Sequence, residues 1–202
     1  MVYQWRDKVV IITGAATGIG EAVVRRLMDE SINHVAVLDV DESNGKSLQQ
    51  ESITKYGANK VKFYKCDVIN DDQLFSVFNS VKIEQGAIDV VINNAGIMND
   101  SWETYKKEIA INVGAFFFMW ESRRPEKGAA PGSSMDPGVY PLNPIGLPLA
   151  GSESAAQGVI DAYKLGESGS TWLVNAGEPA ADITSAVTRA YEIMSEGTSI
   201  IE

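Results

Sequence analysis

An α/β fold built on a doubly wound parallel sheet is the class this sequence predicts, on three observations. Short apolar runs alternate with amphipathic helical stretches through the first half of the chain. A glycine-rich turn, Gly14-x-x-x-Gly18-x-Gly20, follows the first apolar run. A second turn, Asn93-Asn94-Ala95-Gly96, follows the fourth. Alternation of this kind gives parallel strands joined by right-handed crossovers.

The elements follow in order. Residues 9–12 are continuously apolar, the pattern of a strand buried on both faces. Ile19, Ala22, Val23 and Leu27 then recur at helical spacing. Residues 35–40 are a second strand, and Asp41 and Ser43 are candidate caps for a polar helix ending near Tyr56 and Gly57. Residues 61–64 are a third strand, leading into Cys66, Asp67 and Val68. Asn70, Asp71 and Asp72 place acceptors and negative charge where the next helix begins, with Leu74, Phe78 and Val81 on its core face. Residues 88–92 are a fourth strand. Residues 102–120 read as one long helix with Ile109, Val113 and Phe116 on a single stripe.

The pattern then breaks. Residues 123–148 hold six of the seven prolines, a composition that resists both helix and central strand. A helix at 152–165, a strand at 171–174 and a tail helix over about 181–194 close the chain. Residues 1–202 read as one domain: a well-formed half at 5–120, an irregular stretch at 121–150 and a helix–strand–helix at 151–202.

Composition narrows the function classes. The chain is 45% apolar and 22% charged, typical of a globular protein. Its net charge of -10 repels phosphate backbones, so neither nucleic acid nor an anionic membrane is expected as a partner. Cys66 is the single cysteine, which rules out an internal disulfide. No apolar run is long enough for a spanning helix, and residues 1–7 carry no secretory signal pattern, so a cytoplasmic protein is expected. His34, the only histidine, reads as structural, and no metal site is expected.

The glycine turn is a phosphate-binding device of the Rossmann type. Gly14 permits the tight turn, Gly18 lets backbone approach a pyrophosphate, and Gly20 allows close helix–strand packing. The N–H groups at the helix start face the anion. Asp39, closing the second strand, can accept hydrogen bonds from an adenosine ribose and repel a 2'-phosphate. No Lys or Arg lies in residues 13–21, so NAD is favoured over NADP.

These residues together resemble the front half of the short-chain dehydrogenase/reductase family, over residues 5 to about 118. The resemblance implies an NAD-dependent oxidoreductase acting on a secondary alcohol or ketone. It assigns cofactor contacts to Thr13, Gly14, Thr17, Gly18, Ile19, Gly20, Asp39, Asp67, Val68, Asn94, Ala95, Gly96, and Pro137 with Gly138. Asn112 matches the family's active-site Asn, which helps hold a proton-relay water. Within the family the chain is most similar to the insect alcohol dehydrogenase and NAD-dependent 15-hydroxyprostaglandin dehydrogenase group. That likeness lies in Asp39, in residues 94–100 and in residues 169–174.

The family's catalytic Tyr-x-x-x-Lys pair is not where the resemblance requires it. Tyr56 and Lys60 are the only Tyr with a Lys four positions on, and they sit in a turn between the second helix and third strand. Between Asn112 and Pro137 there are fewer residues than the roughly 30 that a strand–helix–strand unit needs. The fifth strand, the catalytic helix and most of the sixth strand are therefore expected to be absent, leaving a truncated sheet. Gly132-Ser133-Ser134 reads as a loop, and only Tyr140 or Tyr163 is left as a substitute proton donor. The fourth strand would have an open edge or pair with the strand at 171–174. Phe116, Phe117, Phe118, Met119 and Trp120 would form an apolar patch on the helix that serves the family as an oligomer interface. A poorly active enzyme, a non-catalytic NAD-binding remnant, an unstable fragment, and a full enzyme whose catalytic stretch is omitted from this sequence are the four outcomes this leaves.

Overall fold

The computed structural model describes residues 3–98, 101–114, 151–175 and 178–198. Four parallel strands, β1 (Val9–Thr13), β2 (His34–Asp39), β3 (Val61–Lys65) and β4 (Val90–Ile92), form one sheet in the order β3-β2-β1-β4. Register aligns Val10 with Val35 and Val90, and Ile12 with Val37 and Ile92. These side chains point to one face, where α1 (Gly18–Asp29), α2 (Glu42–Tyr56) and α5 (Ser152–Leu165) close the core through Val23, Leu27, Leu48, Val159 and Ile160. Val9, Ile11, Ala36, Leu38 and Val91 point to the other face, against Leu74, Val77, Phe78 and Val81 of α3 (Asp71–Gln85). Burial of every side chain of β1 on alternating faces is why residues 9–12 are unbroken apolar.

The helix starts are written locally. The Asp41 side chain accepts from the Asn44 N–H at 3.0 Å, and that of Asn70 from the Gln73 N–H at 3.0 Å. Chain order runs outward from β1 to β3 on one side, then crosses to β4 on the other. The C-terminal ends of β1 and β4 therefore flank the point where winding reverses, where α/β sheets open a crevice.

Three expectations are corrected. The helix expected over 102–120 is only α4 (Tyr105–Ile109) before a π-helical turn at Ala110–Gly114, and its continuation lies outside the described residues. Ile109 and Val113 are 58% and 48% exposed, while Ile111 packs on the core. A π turn takes more residues per revolution than the 3.6 of the α period, so Val113, inside it, leaves the stripe that Ile109 begins. The strand near 171–174 does not pair with β4. It is β5 (Trp172–Leu173), antiparallel to β6 (Ala181–Asp182) in a sheet of its own. Residues 181–182, expected to open the tail helix, thus form a strand, and α6 runs Thr184–Thr198. Asp182 accepts from the Thr184 N–H at 2.8 Å, which places the helix start there.

Among the described residues β4 pairs with β1 alone. The segment 121–150 expected to be irregular, the apolar residues 116–120, residues 132–134 expected to form a loop, Tyr140, Pro137 and Gly138 lie outside the described residues. No helix among the described residues is long and apolar enough to cross a membrane.

Candidate functional site

The glycine turn joins β1 to α1 at the reversal point. Gly14 and Gly18 both have positive φ, 62° and 63°, where a side chain strains the backbone. Their surroundings differ. A Cβ on Gly14 would sit 2.7 Å from the Ala95 Cα, whereas one on Gly18 would meet nothing within 4 Å. A Cβ on Gly20 would lie 2.5 Å from the Gly14 carbonyl oxygen and 2.6 Å from the Asn94 Nδ2. Gly14 and Gly20 are thus fixed by protein packing, while Gly18 faces open space. Thr17, the N-cap of α1, makes no side-chain capping bond, so the first N–H groups of the helix are left for an anion.

The second turn clamps the first. Thr13, fully buried, accepts at Oγ1 from the N–H groups of Asn94 and Ala95, both at 3.1 Å. The Asn94 amide donates through Nδ2 to the carbonyls of Thr13 (3.0 Å) and Gly14 (2.8 Å). Thr13, Asn94 and Ala95 therefore hold the ends of β1 and β4 together. Asn93, beside them, has both side-chain polar atoms buried with no hydrogen-bond partner.

Asp39 ends β2 next to the loop. Its carboxylate accepts from the Ala16 N–H at 2.9 Å and from the Asp41 N–H at 3.0 Å. Asp67, past the end of β3, accepts from the Ile69 N–H at 3.2 Å, and its own N–H donates to the Gln73 side chain at 2.9 Å. Val68 is buried and Ile19 half-buried. Cys66, also buried, has its thiol pushed up to about 11 by burial and by the neighbouring Asp67 charge.

Asn112 lies in the π turn and is exposed. Its Oδ1 accepts from the Ile97 N–H at 3.0 Å and its Nδ2 donates to the Ile97 carbonyl at 2.9 Å. Both ends of the amide thus bind one backbone unit, and Gly96 leaves room for it, since a Cβ there would stand 3.4 Å from Oδ1.

The structure brings Gly14, Gly18, Gly20, Thr17, Asp39, Asn94, Ala95 and Gly96 to the carboxyl ends of β1, β2 and β4. It keeps two of the tyrosines away. Tyr56 ends α2, with its hydroxyl 3.5 Å from Asp29, and the Lys60 ammonium donates to the Ile32 carbonyl at 2.8 Å, both at the amino ends of the strands. Tyr163 is buried, stacked on Trp5 at 3.9 Å, also at that end. Two cavities open elsewhere: about 200 Å³ beside Arg25, Lys55, Tyr56 and Glu153, and about 390 Å³ beside Glu167, Asp182 and Thr184. Neither contains a residue of the glycine turn.

Sequence reasoning missed the partners. Asp41 and Gln73 each steady an acidic residue of the site through one hydrogen bond, and single polar residues at helix starts leave no signal of which neighbouring strand end they reach. The Ile97 backbone, likewise, has no side-chain signature.

A family model for short chain dehydrogenase matches residues 8–132. The chain is 35% identical over 106 residues to (+)-cis,cis-nepetalactol synthase of Nepeta racemosa, covering 52% of this chain and 38% of that protein. It is 34% identical over 139 residues to an uncharacterized oxidoreductase of Bacillus subtilis, 65% of this chain and 20% of that protein. Over 131 residues it is 32% identical to short-chain dehydrogenase reductase 3a of Arabidopsis thaliana, 60% and 49% of the two chains. It thus spans less than half the length of each of these relatives. A crystal structure of NAD+-bound xylitol dehydrogenase superposes with a TM-score of 0.54 at 26% identity, over 59% of this chain and 48% of that one. A short-chain dehydrogenase from Novosphingobium aromaticivorans, 17% identical, shares the fold with a TM-score of 0.55 over 60% and 46%.

Proposed function

The chain belongs to the short-chain dehydrogenase family, and on that premise we propose that it binds NAD in the crevice at the ends of β1, β2 and β4. The observation that carries the reading is the open space at Gly18, in front of a helix N-terminus that no side chain caps. The residues fit the cofactor. The first turn of α1 would hold the pyrophosphate. The Asp39 carboxylate has acceptor sites left beside its two backbone bonds for a ribose diol, and its charge opposes a 2'-phosphate. Asp67 and Val68 would border the adenine. When bound, the nicotinamide supplies a hydride acceptor for oxidation of a secondary alcohol, or a donor in the reverse direction.

Turnover is proposed to be impaired. The sequence offers no Tyr-x-x-x-Lys beyond Asn112, and Tyr163 is locked in the core far from the crevice. Without general acid–base catalysis the rate falls by about 100- to 10,000-fold. A non-catalytic NAD-binding protein of this family is the second reading, favoured by that placement of Tyr163. The kinship with insect alcohol dehydrogenases and 15-hydroxyprostaglandin dehydrogenase, a small alcohol or ketone substrate and a homo-oligomer remain part of the proposal.

Calorimetric titration with NAD and then NADP tests it. Saturable NAD binding with NADP at least tenfold weaker is expected. Binding of neither overturns the reading, and a rate of nicotinamide reduction typical of the family overturns the impairment.

A further inference from the structure

Asp39 does more than end a strand. Its backbone carbonyl accepts from the Cys66 N–H at 2.9 Å, past the end of β3. One carboxylate oxygen accepts from the Asp41 N–H, at the cap of α2. The other reaches 23 positions back along the chain to the Ala16 N–H, in the middle of the glycine turn. Ala16 itself is 1% exposed. The turn's other ties to the sheet act on Gly14: its N–H donates to the Leu38 carbonyl at 2.8 Å, and its carbonyl accepts from Asn94. Between Gly14 and the first turn of α1, the Ala16–Asp39 bond is the turn's link to the sheet among the described residues. It is charge-assisted, and stronger than the amide–amide bonds around it.

We propose that Asp39 is a positioning residue for the glycine turn, so that one carboxylate both shapes the pyrophosphate cradle and faces the ribose. The inference rests on the dinucleotide reading for its consequence, though not for its geometry. Held at both oxygens, the carboxylate cannot swing aside. A ribose diol finds an acceptor already in place, and a 2'-phosphate finds a charge that does not move. Changing Asp39 to alter cofactor preference therefore also loosens the cradle.

Inorganic pyrophosphate separates the two roles, because it has no ribose. If Asp39 contributed only charge and ribose contacts, Asp39→Ala would leave pyrophosphate affinity unchanged or raise it, since a repelling charge is gone. If Asp39 positions the turn, the same variant loses about tenfold in pyrophosphate affinity, the scale of one charge-assisted hydrogen bond. Hydrogen exchange of the Ala16 amide in the ligand-free chain reads the tether directly. It is expected to speed up at least tenfold in Asp39→Ala, with the amides of Val23 and Val35 unchanged. Asp39→Ser guards against a variant that does not fold. Its hydroxyl can still accept from the Asp41 N–H two residues on, but is too short to reach Ala16. It is expected to show the same loss at Ala16. Unchanged Ala16 exchange in the folded variants, or undiminished pyrophosphate affinity, overturns the proposal. If the unaltered chain binds neither pyrophosphate nor NAD, the dinucleotide reading fails, and Ala16 exchange still decides the tether.

Discussion

Gly14 and Gly18 share a backbone conformation and differ in what surrounds them, so replacing each by Ala separates strain from steric overlap. Their φ angles are 62° and 63°. Placing a Cβ in that region strains either site by roughly 1–2 kcal/mol, while the less flexible unfolded chain returns about 0.4–1 kcal/mol. At Gly18 nothing lies within 4 Å of the added carbon, so the net loss of stability stays near or below about 1.5 kcal/mol. At Gly14 the carbon falls 2.7 Å from the Ala95 Cα and 3.0 Å from its N. Both atoms are backbone, held by the Thr13 hydroxyl, so the ends of β1 and β4 must part. Overpacking of that kind adds about 1–3 kcal/mol, giving Gly14→Ala a total near 2–4 kcal/mol. Urea unfolding measures both, with equal m-values as the check that only stability changed. NAD affinity should rank in a different order among folded molecules: Gly18→Ala puts its methyl into the space assigned to the pyrophosphate and weakens binding more than tenfold. A Gly18→Ala as destabilised as Gly14→Ala would refute the packing argument. An unaltered NAD affinity in Gly18→Ala would refute the placement of the anion.

Two further outcomes follow from single side chains. His34 is 1% exposed, with Nδ1 2.6 Å from the Asn59 carbonyl and Nε2 buried without a partner, and burial holds its pKa below the ordinary 6.5. The unfolded chain therefore binds the extra proton first, so stability is full above pH 6.5 and falls as pH drops below it. Denaturant midpoints should fall between pH 7.5 and pH 5.5 in the unaltered chain and much less in His34→Gln; equal slopes in the two would sink the assignment. Asn112→Ala removes both bonds to the Ile97 backbone and, at this exposed position, should cost about 0.5–1.5 kcal/mol. Faster amide exchange at Ile97 is the accompanying sign, and unchanged exchange there would show that the brace does not hold in solution.

The parts legible in the sequence are those set by neighbours along the chain. The unbroken apolar run of β1, the Asn70 cap and the Ser152–Leu165 helix are local patterns, and they appear where expected. The π turn was not legible, because Ile109 and Val113 keep helical spacing while the backbone does not. Nor was the pairing of Trp172–Leu173. A two-residue strand has no preference of its own, and the Ala181–Asp182 segment lies closer along the chain than β4.

The sequence by itself determined that strands and helices alternate, that glycine occupies the turn after β1 and that an acidic residue closes β2. Periodicities of two and 3.6, and the φ that only glycine takes readily, are properties of short stretches. Only the tertiary structure decided that Gly14 is packed shut against Ala95, that Asn112 grips Ile97 and that Asp39 holds Ala16. Those relations join residues brought together by sheet order, and a hydrogen bond across such a separation leaves no trace in the residues between.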